Sequence, residues 1–269
     1  MTRLAWLLAA AAGLYVLAMA GLYAVQRRLL FLPTTDRPAL GQLSASGVQE
    51  VTVAAADGTP LLAWWLAPQD GQPVMLYLHG NGGNLDNRRP RMQGFAGHGW
   101  GVLMLEWRGY GGNPGAPSEA SFVSDAQGAM AHLARMRFGP GQVILYGESI
   151  GTGIAVRIAS EQPVAALVLE SPYTSIANLA RQRMPWVPVG LLLRDPIELL
   201  GRIGGVRAPL LVLQGARDAI VPPAMGREVF AAAREPKQLW VSDTSGHNDI
   251  MPGAMPVLAA FIGQHALHP

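Results

Sequence analysis

Leu145-Tyr-Gly-Glu-Ser-Ile-Gly-Thr-Gly153 (LYGESIGTG) sets Ser149 between two glycines in the pattern G-x-S-x-G. With 32 glycines in 269 residues, composition alone produces such a pentapeptide readily, so it carries weight only in a strand–turn–helix context. VILY predicts a strand, GES a sharp turn and IGTGIAVRIAS a helix, which supplies that context. Glycines on either side let the chain reverse tightly without a clash. The helix N-terminus adds positive potential where an oxyanion would form. The plainer alternative is a small residue at a strand–helix junction.

Working outward, short apolar runs alternate with helical segments from Val48 onward. Strands are expected at 48–55 and 61–66 as a hairpin about Asp57-Gly58, then at 74–78, 101–106, 142–146, 165–169, 210–213 and 238–241. Helices are expected near 84–98, 119–137, 150–161, 223–234 and 252–266. Continuous apolar strands separated by helices predict an α/β fold: about eight strands, mostly parallel, with helices on both faces. Residues 172–206, rich in Pro and Leu, form a candidate cap. Ligands of such sheets bind beyond the C-terminal strand ends, so chemistry belongs just after each strand.

A serine nucleophile needs a base. His265 and His268 fall in the last five residues, His132 within a helix and His98 near a helix end. His247, in Ser245-Gly-His-Asn-Asp249, follows the last strand and is the best candidate. A carboxylate must then hold the imidazole tautomer. Asp218 follows the strand 210–213, and Asp243 and Asp249 are rivals nearer His247 in sequence. Only Asp218 combines a strand-end position with the order Ser149, Asp218, His247. Leu78-His-Gly-Asn-Gly-Gly83 follows another strand, and its glycines can turn backbone N–H groups toward a ligand. The backbone N–H groups of Asn81 and Ile150 are the candidate oxyanion hole. A plain glycine turn and a phosphate cradle are the alternatives, but no G-K-[ST] or dinucleotide fingerprint accompanies the loop. His79 is expected to brace this loop.

The N-terminus has a different character. Leu4 to Val25 is free of charge over about 22 residues, roughly 33 Å as a helix and long enough for a bilayer core. Arg3 precedes it, and Arg27 and Arg28 follow. A membrane anchor is expected over residues 1–25, a linker over 26–47 and a hydrolase-type domain over 48–269. Two readings stay open beside the anchor: a signal peptide cleaved after Ala18-Met19-Ala20, and a buried core helix. The flanking charges do not choose a membrane side. Charged residues make up only 14% of the chain and no basic run exceeds the Arg88, Arg89, Arg91 cluster, which argues against nucleic-acid binding. The absence of cysteine excludes disulfides, thiolate metal sites and a cysteine nucleophile. No metal or cofactor is called for.

HGNGGN (79–84), WRGYGGNPGAPSE (107–119), GESIGTG (147–153), ESPYTS (170–175), LQGARDAIVP (213–222) and GHND (246–249) together resemble the α/β-hydrolase-domain proteins. The likeness is to their membrane-anchored branch, near the serine-aminopeptidase-like hydrolases, and it takes in the QRRLLFLP that follows the anchor. It implies Ser149, Asp218 and His247 as a triad and Asn81 and Ile150 as the oxyanion hole. One departure is Glu106-Trp107, where relatives often carry aspartate and tyrosine. Another is the cap stretch MPWVPVGLLLRD, which matches no substrate class. The expectation is a serine hydrolase acting on ester or thioester bonds of acyl, lipid-like substrates. A serine peptidase and a non-catalytic membrane-tethered scaffold are the rival functions.

Overall fold

The structure is a computed structural model, and it describes residues 2–251 and 253–266. One sheet holds eight strands: β1 (Gln49–Ala54), β2 (Pro60–Leu66), β3 (Val74–Leu78), β4 (Gly101–Leu105), β5 (Val143–Glu148), β6 (Ala166–Glu170), β7 (Leu210–Gly215) and β8 (Lys237–Ser242). Their spatial order is β1-β2-β4-β3-β5-β6-β7-β8. β2 runs antiparallel to β1 and β4, and every other neighbouring pair is parallel. The mostly parallel α/β sheet expected from the sequence is thus present.

The strands read as unbroken apolar runs because both faces are covered. Alternate residues point to opposite sides. On one side Leu76, Leu78, Leu103 and Leu145 pack on Phe122 and Ala126 of α3 (Glu119–Arg135) and on Ile154 and Ile158 of α4 (Ile150–Glu161). On the other, Met75, Tyr77, Met104 and Ile144 meet Met92 and Phe95 of α2 (Arg89–Ala96) and Leu258 and Phe261 of α9 (Met255–His265). Each fully buried side chain of this kind contributes about 1.5–3 kcal/mol, so the sheet is a rigid platform for what projects from its edge. α2 is shorter than expected because a 3₁₀ turn, Leu85–Arg88, precedes it and Pro90 sets its first turn. α9 likewise begins at Met255, and residue 252 of the expected helix lies outside the described residues.

The cap between β6 and β7 holds three short helices, α5 (Ile176–Arg183), α6 (Val189–Leu192) and α7 (Leu200–Ile203). α8 (Pro223–Ala232) joins β7 to β8. The N-terminal helix α1 runs from Arg3 to Leu30, so residues 26–30 of the expected linker are helical. The N-terminal half of α1 projects away from the domain and most of the helix's apolar side chains are exposed, which sets aside a buried core helix. Its C-terminal half instead docks on the cap. Tyr15 Oη donates to Trp186 O at 3.0 Å, Gln26 Nε2 to Leu192 O at 3.0 Å, and Arg27 forks onto Asp195 at 2.7 and 3.0 Å. Phe31, just past α1, is buried edge-on against Phe122. Leu32–Pro33 then pairs in parallel with Gly82–Gly83.

Candidate active site

Ser149 sits at the tip of the turn between β5 and α4, with φ 49° and ψ −116°. A non-glycine residue at positive φ is strained, and the surroundings must hold it there. Two features do so. Ser149 N donates to Glu170 O on β6 at 2.9 Å, and the flanking glycines allow close approach. A Cβ on Gly151 would lie 2.1 Å from Leu78 O, and one on Gly147 would lie 2.6 Å from Thr152 Cα. The glycine spacing is therefore a packing requirement of the elbow.

His247 reaches Ser149 from the loop after β8: its Nε2 lies 2.9 Å from Ser149 Oγ. Its Nδ1 lies 2.7 Å from Asp218 Oδ2. Asp218 Oδ1 accepts from the N–H groups of Ile220 at 2.9 Å and Val221 at 2.8 Å, while Gln214 Nε2 stands 3.4 Å from Oδ2. Burial alone would raise the Asp218 carboxyl. The hydrogen bonds from His247 and Val221 outweigh it and hold the group below its ordinary value. Asp249 bonds within its own loop, its Oδ1 accepting from Gly246 N at 2.6 Å, and Asp243 is exposed. His98 stacks on Trp100, His132 lies on α3, and His265 is half-buried beside Phe261; His268 lies outside the described residues.

The glycine loop after β3 lies opposite the elbow. Among the described residues neither Asn81 N nor Ile150 N donates a hydrogen bond, so both are free for a ligand oxygen. The Asn81 side chain is itself clamped: Oδ1 accepts from Tyr110 Oη at 3.0 Å and Leu32 N at 3.3 Å, and Nδ2 donates to Leu30 O at 2.6 Å. Beneath the loop, buried His79 bridges Gly80 O and Glu106 Oε1, at 2.7 and 2.9 Å. Glu106 Oε2 also accepts from Leu85 N, and Trp107 Nε1 donates to His79 O. The Glu106-Trp107 pair thus anchors the loop through both its side chains.

Sequence reasoning missed a supporting layer. Arg88 bonds Glu148, the residue before Ser149, at 3.1 and 3.2 Å and holds Gly82 O at 2.6 Å. Arg91 forks onto Glu170 at 2.6 and 2.8 Å, and Tyr77 and Tyr146 cap the two carboxylates. Burial would raise Glu148, but the guanidiniums of Arg88 and Arg91 hold it well below the usual carboxylate range. Arg88 and Arg91 of the basic cluster are therefore turned inward. Their signal in the sequence was the glutamate inside GES, a charge at the end of a buried strand that has to be paired.

The cavity above Ser149 and His247 measures about 950 Å³. Its walls come from two directions: Leu22, Tyr23 and Leu29 of α1, and Met184, Val187 and Leu192 of the cap. The contribution of α1 was also missed. Gln26, a lone amide after an apolar run, was its trace: it donates to Leu192 O and accepts from Arg194 N.

An eight-stranded α/β sheet with a serine elbow, and a histidine and carboxylate arriving from later strand ends, defines the α/β-hydrolase class. Residues 73–201 match the sequence profile of the alpha/beta hydrolase fold. The chain is 38% identical over 232 residues to an uncharacterised protein of Mycobacterium tuberculosis, covering 85% of this chain and 82% of that one. This chain belongs to the α/β-hydrolase family. It is also 29% identical over 191 residues to the lysophosphatidylserine lipase ABHD12 of Danio rerio, across 64% of this chain and 50% of the lipase. In fold it resembles the Pyrococcus furiosus esterase Pf2001, with a TM-score of 0.74 at 18% identity over 88% of this chain and 98% of the esterase.

Proposed function

We propose that this protein is a membrane-anchored serine hydrolase that cleaves carboxylic ester or thioester bonds of acyl, lipid-like substrates. The observation that carries the proposal is the unbroken chain Ser149 Oγ–His247–Asp218 at the floor of a largely apolar cavity. Ser149 Oγ attacks the acyl carbonyl as His247 Nε2 takes its proton. Asp218, kept ionised, fixes the His247 tautomer with Nδ1–H toward itself and stabilises the imidazolium. The free N–H groups of Asn81 and Ile150 receive the oxyanion. The proton on Nε2 then passes to the leaving alcohol or thiol, and water, activated by the same base, hydrolyses the acyl-enzyme. No step requires a metal or cofactor.

The lipid-like character of the substrate rests on the cavity walls and on α1, whose apolar length suits a bilayer anchor. The relatedness to a lysophosphatidylserine lipase supports the same reading. The test is a hydrolysis screen over esters, thioesters and aminoacyl amides of graded chain length, with Ser149→Ala as the blank. The expected result is turnover of long-chain esters or thioesters that Ser149→Ala abolishes, with fluorophosphonate labelling lost in parallel. Turnover of amides alone would assign a peptidase, and equal labelling of both proteins would remove Ser149 as nucleophile.

A further inference from the structure

Cap residues 184–193, MPWVPVGLLL, contain no charge and are bounded by Arg183 and Arg194. Trp186 is 61% exposed and Leu191 87%, a large apolar tip for a soluble surface. This segment runs along α1. Arg194 N donates to Gln26 Oε1, Leu192 O accepts from Gln26, Val187 and Val189 bury against Met19, and Trp186 O accepts from Tyr15. From Gln26 back to Tyr15 the contact extends about 16 Å along the helix axis.

That extent fixes a depth. The uncharged stretch Leu4 to Val25 is roughly 33 Å long against a hydrocarbon core of about 30 Å, so α1 has almost no length to spare. With Arg3 and Arg27 outside the core on opposite sides, Tyr15 and Met19 lie inside it. The cap residues bonded to them must lie there too. Backbone in hydrocarbon needs its polar groups satisfied internally. The N–H groups of Val187, Val189, Leu191, Leu192 and Leu193 all donate to carbonyls of the same segment, and Pro185 and Pro188 carry none. Only Trp186 and Gly190 keep an N–H without a partner among the described residues. Most N–H groups of the segment are thus satisfied within it, which lowers the cost of taking it out of water.

We propose that residues 184–193 are a second membrane-embedded element, seated in the leaflet beside α1. Together they form the bilayer-side wall of the cavity, through which an ester-linked acyl lipid passes from the leaflet to Ser149. The proposal rests on the reading of α1 as a membrane anchor. Since Val187 and Leu192 of the segment and Leu22 and Leu29 of α1 line the cavity, the acyl chain exchanges one apolar surface for another without crossing water.

The chain has no cysteine, so single reporters can be placed cleanly. Leu191→Cys, Leu17→Cys and Asp70→Cys, all at exposed side chains, are compared in phosphatidylcholine nanodiscs, both faces of which are open to solvent. The measurement is the rate of reaction with a sulfonated, membrane-impermeant maleimide. Leu191→Cys and Leu17→Cys are expected to react at least about tenfold more slowly than Asp70→Cys, since a charged reagent is costly in hydrocarbon. The protein itself does not shield Leu191, so protection has to come from lipid. If Leu191→Cys reacts as fast as Asp70→Cys while Leu17→Cys stays protected, the cap proposal is overturned and the anchor stands. If Leu17→Cys reacts freely as well, the anchor reading has failed and the cap proposal falls with it.

Discussion

Asp218→Asn tests the proposed mechanism through a single atom, and the surroundings dictate which one. Asp218 Oδ1 accepts from two backbone donors, Ile220 N and Val221 N. In the asparagine variant the amide oxygen must stay at that position. Turning it would set an NH₂ against two N–H groups, leaving both unsatisfied at about 1–3 kcal/mol each. The NH₂ then replaces Oδ2, 2.7 Å from His247 Nδ1. A donor there requires Nδ1 to accept, which moves the imidazole proton to Nε2. Nε2–H faces Ser149 Oγ and has no lone pair with which to take its proton. The base is lost while the fold is kept. The same substitution in a serine protease lowers kcat about 10⁴-fold, and by 1.36 kcal/mol per decade that equals about 5.4 kcal/mol of lost transition-state stabilisation.

The assay is kcat/KM on a p-nitrophenyl ester, with the melting temperature as a check on folding. Asp249→Asn serves as the control, and its rate should stay within about threefold of the parent because Asp249 bonds only within its own loop. If Asp218→Asn retains more than about a tenth of the activity with an unchanged melting temperature, the tautomer argument is wrong. If Asp249→Asn loses the most, the carboxylate has been misassigned.

Gly151→Ala would drive a Cβ into Leu78 O. It should cost about 1–3 kcal/mol and lower the melting temperature by roughly 2–12 °C, and an unchanged melting curve would count against the packing account of the elbow. Arg88→Met strands Glu148 beneath the nucleophile and should destabilise by about 3–5 kcal/mol in urea unfolding, whereas Arg88→Met combined with Glu148→Leu should recover much of that loss. Glu148 has its pKa depressed by folding, so its contribution is fully present above the ordinary carboxylate value, about 4.3, and fades as pH falls toward the lower folded value. The stability gap between the parent and Glu148→Gln should accordingly narrow below about pH 4 in denaturant titrations, and a gap that widens there would reverse the assigned sign. Across an ester series, kcat/KM should rise with acyl length until the cavity of about 950 Å³ is filled, and a preference for acetyl esters would argue against a lipid-like substrate.

The sheet was legible because its strands are buried on both faces, so every residue from Val74 to Leu78 or Gly101 to Leu105 is aliphatic, aromatic or glycine. Ser149, Asp218, His247 and the glycine loop were visible for a related reason: each follows a strand end, and the fold confines chemistry to that edge. What stayed hidden depends on pairings between distant segments. Arg88 and Arg91 resemble a solvated basic patch until Glu148 and Glu170 are found beneath them. Gln26 resembles the first residue of a linker until its amide meets both Leu192 O and Arg194 N. That second case bears on function. A helix serving only as a tether could end in any flexible sequence, but α1 ends in a bidentate amide, a buried-carboxylate ion pair at Asp195 and a carbonyl, Leu30 O, that holds Asn81. The segment that would fix the protein in the bilayer therefore also positions the proposed oxyanion loop, so deleting residues 2–30 should impair hydrolysis even of soluble short-chain esters.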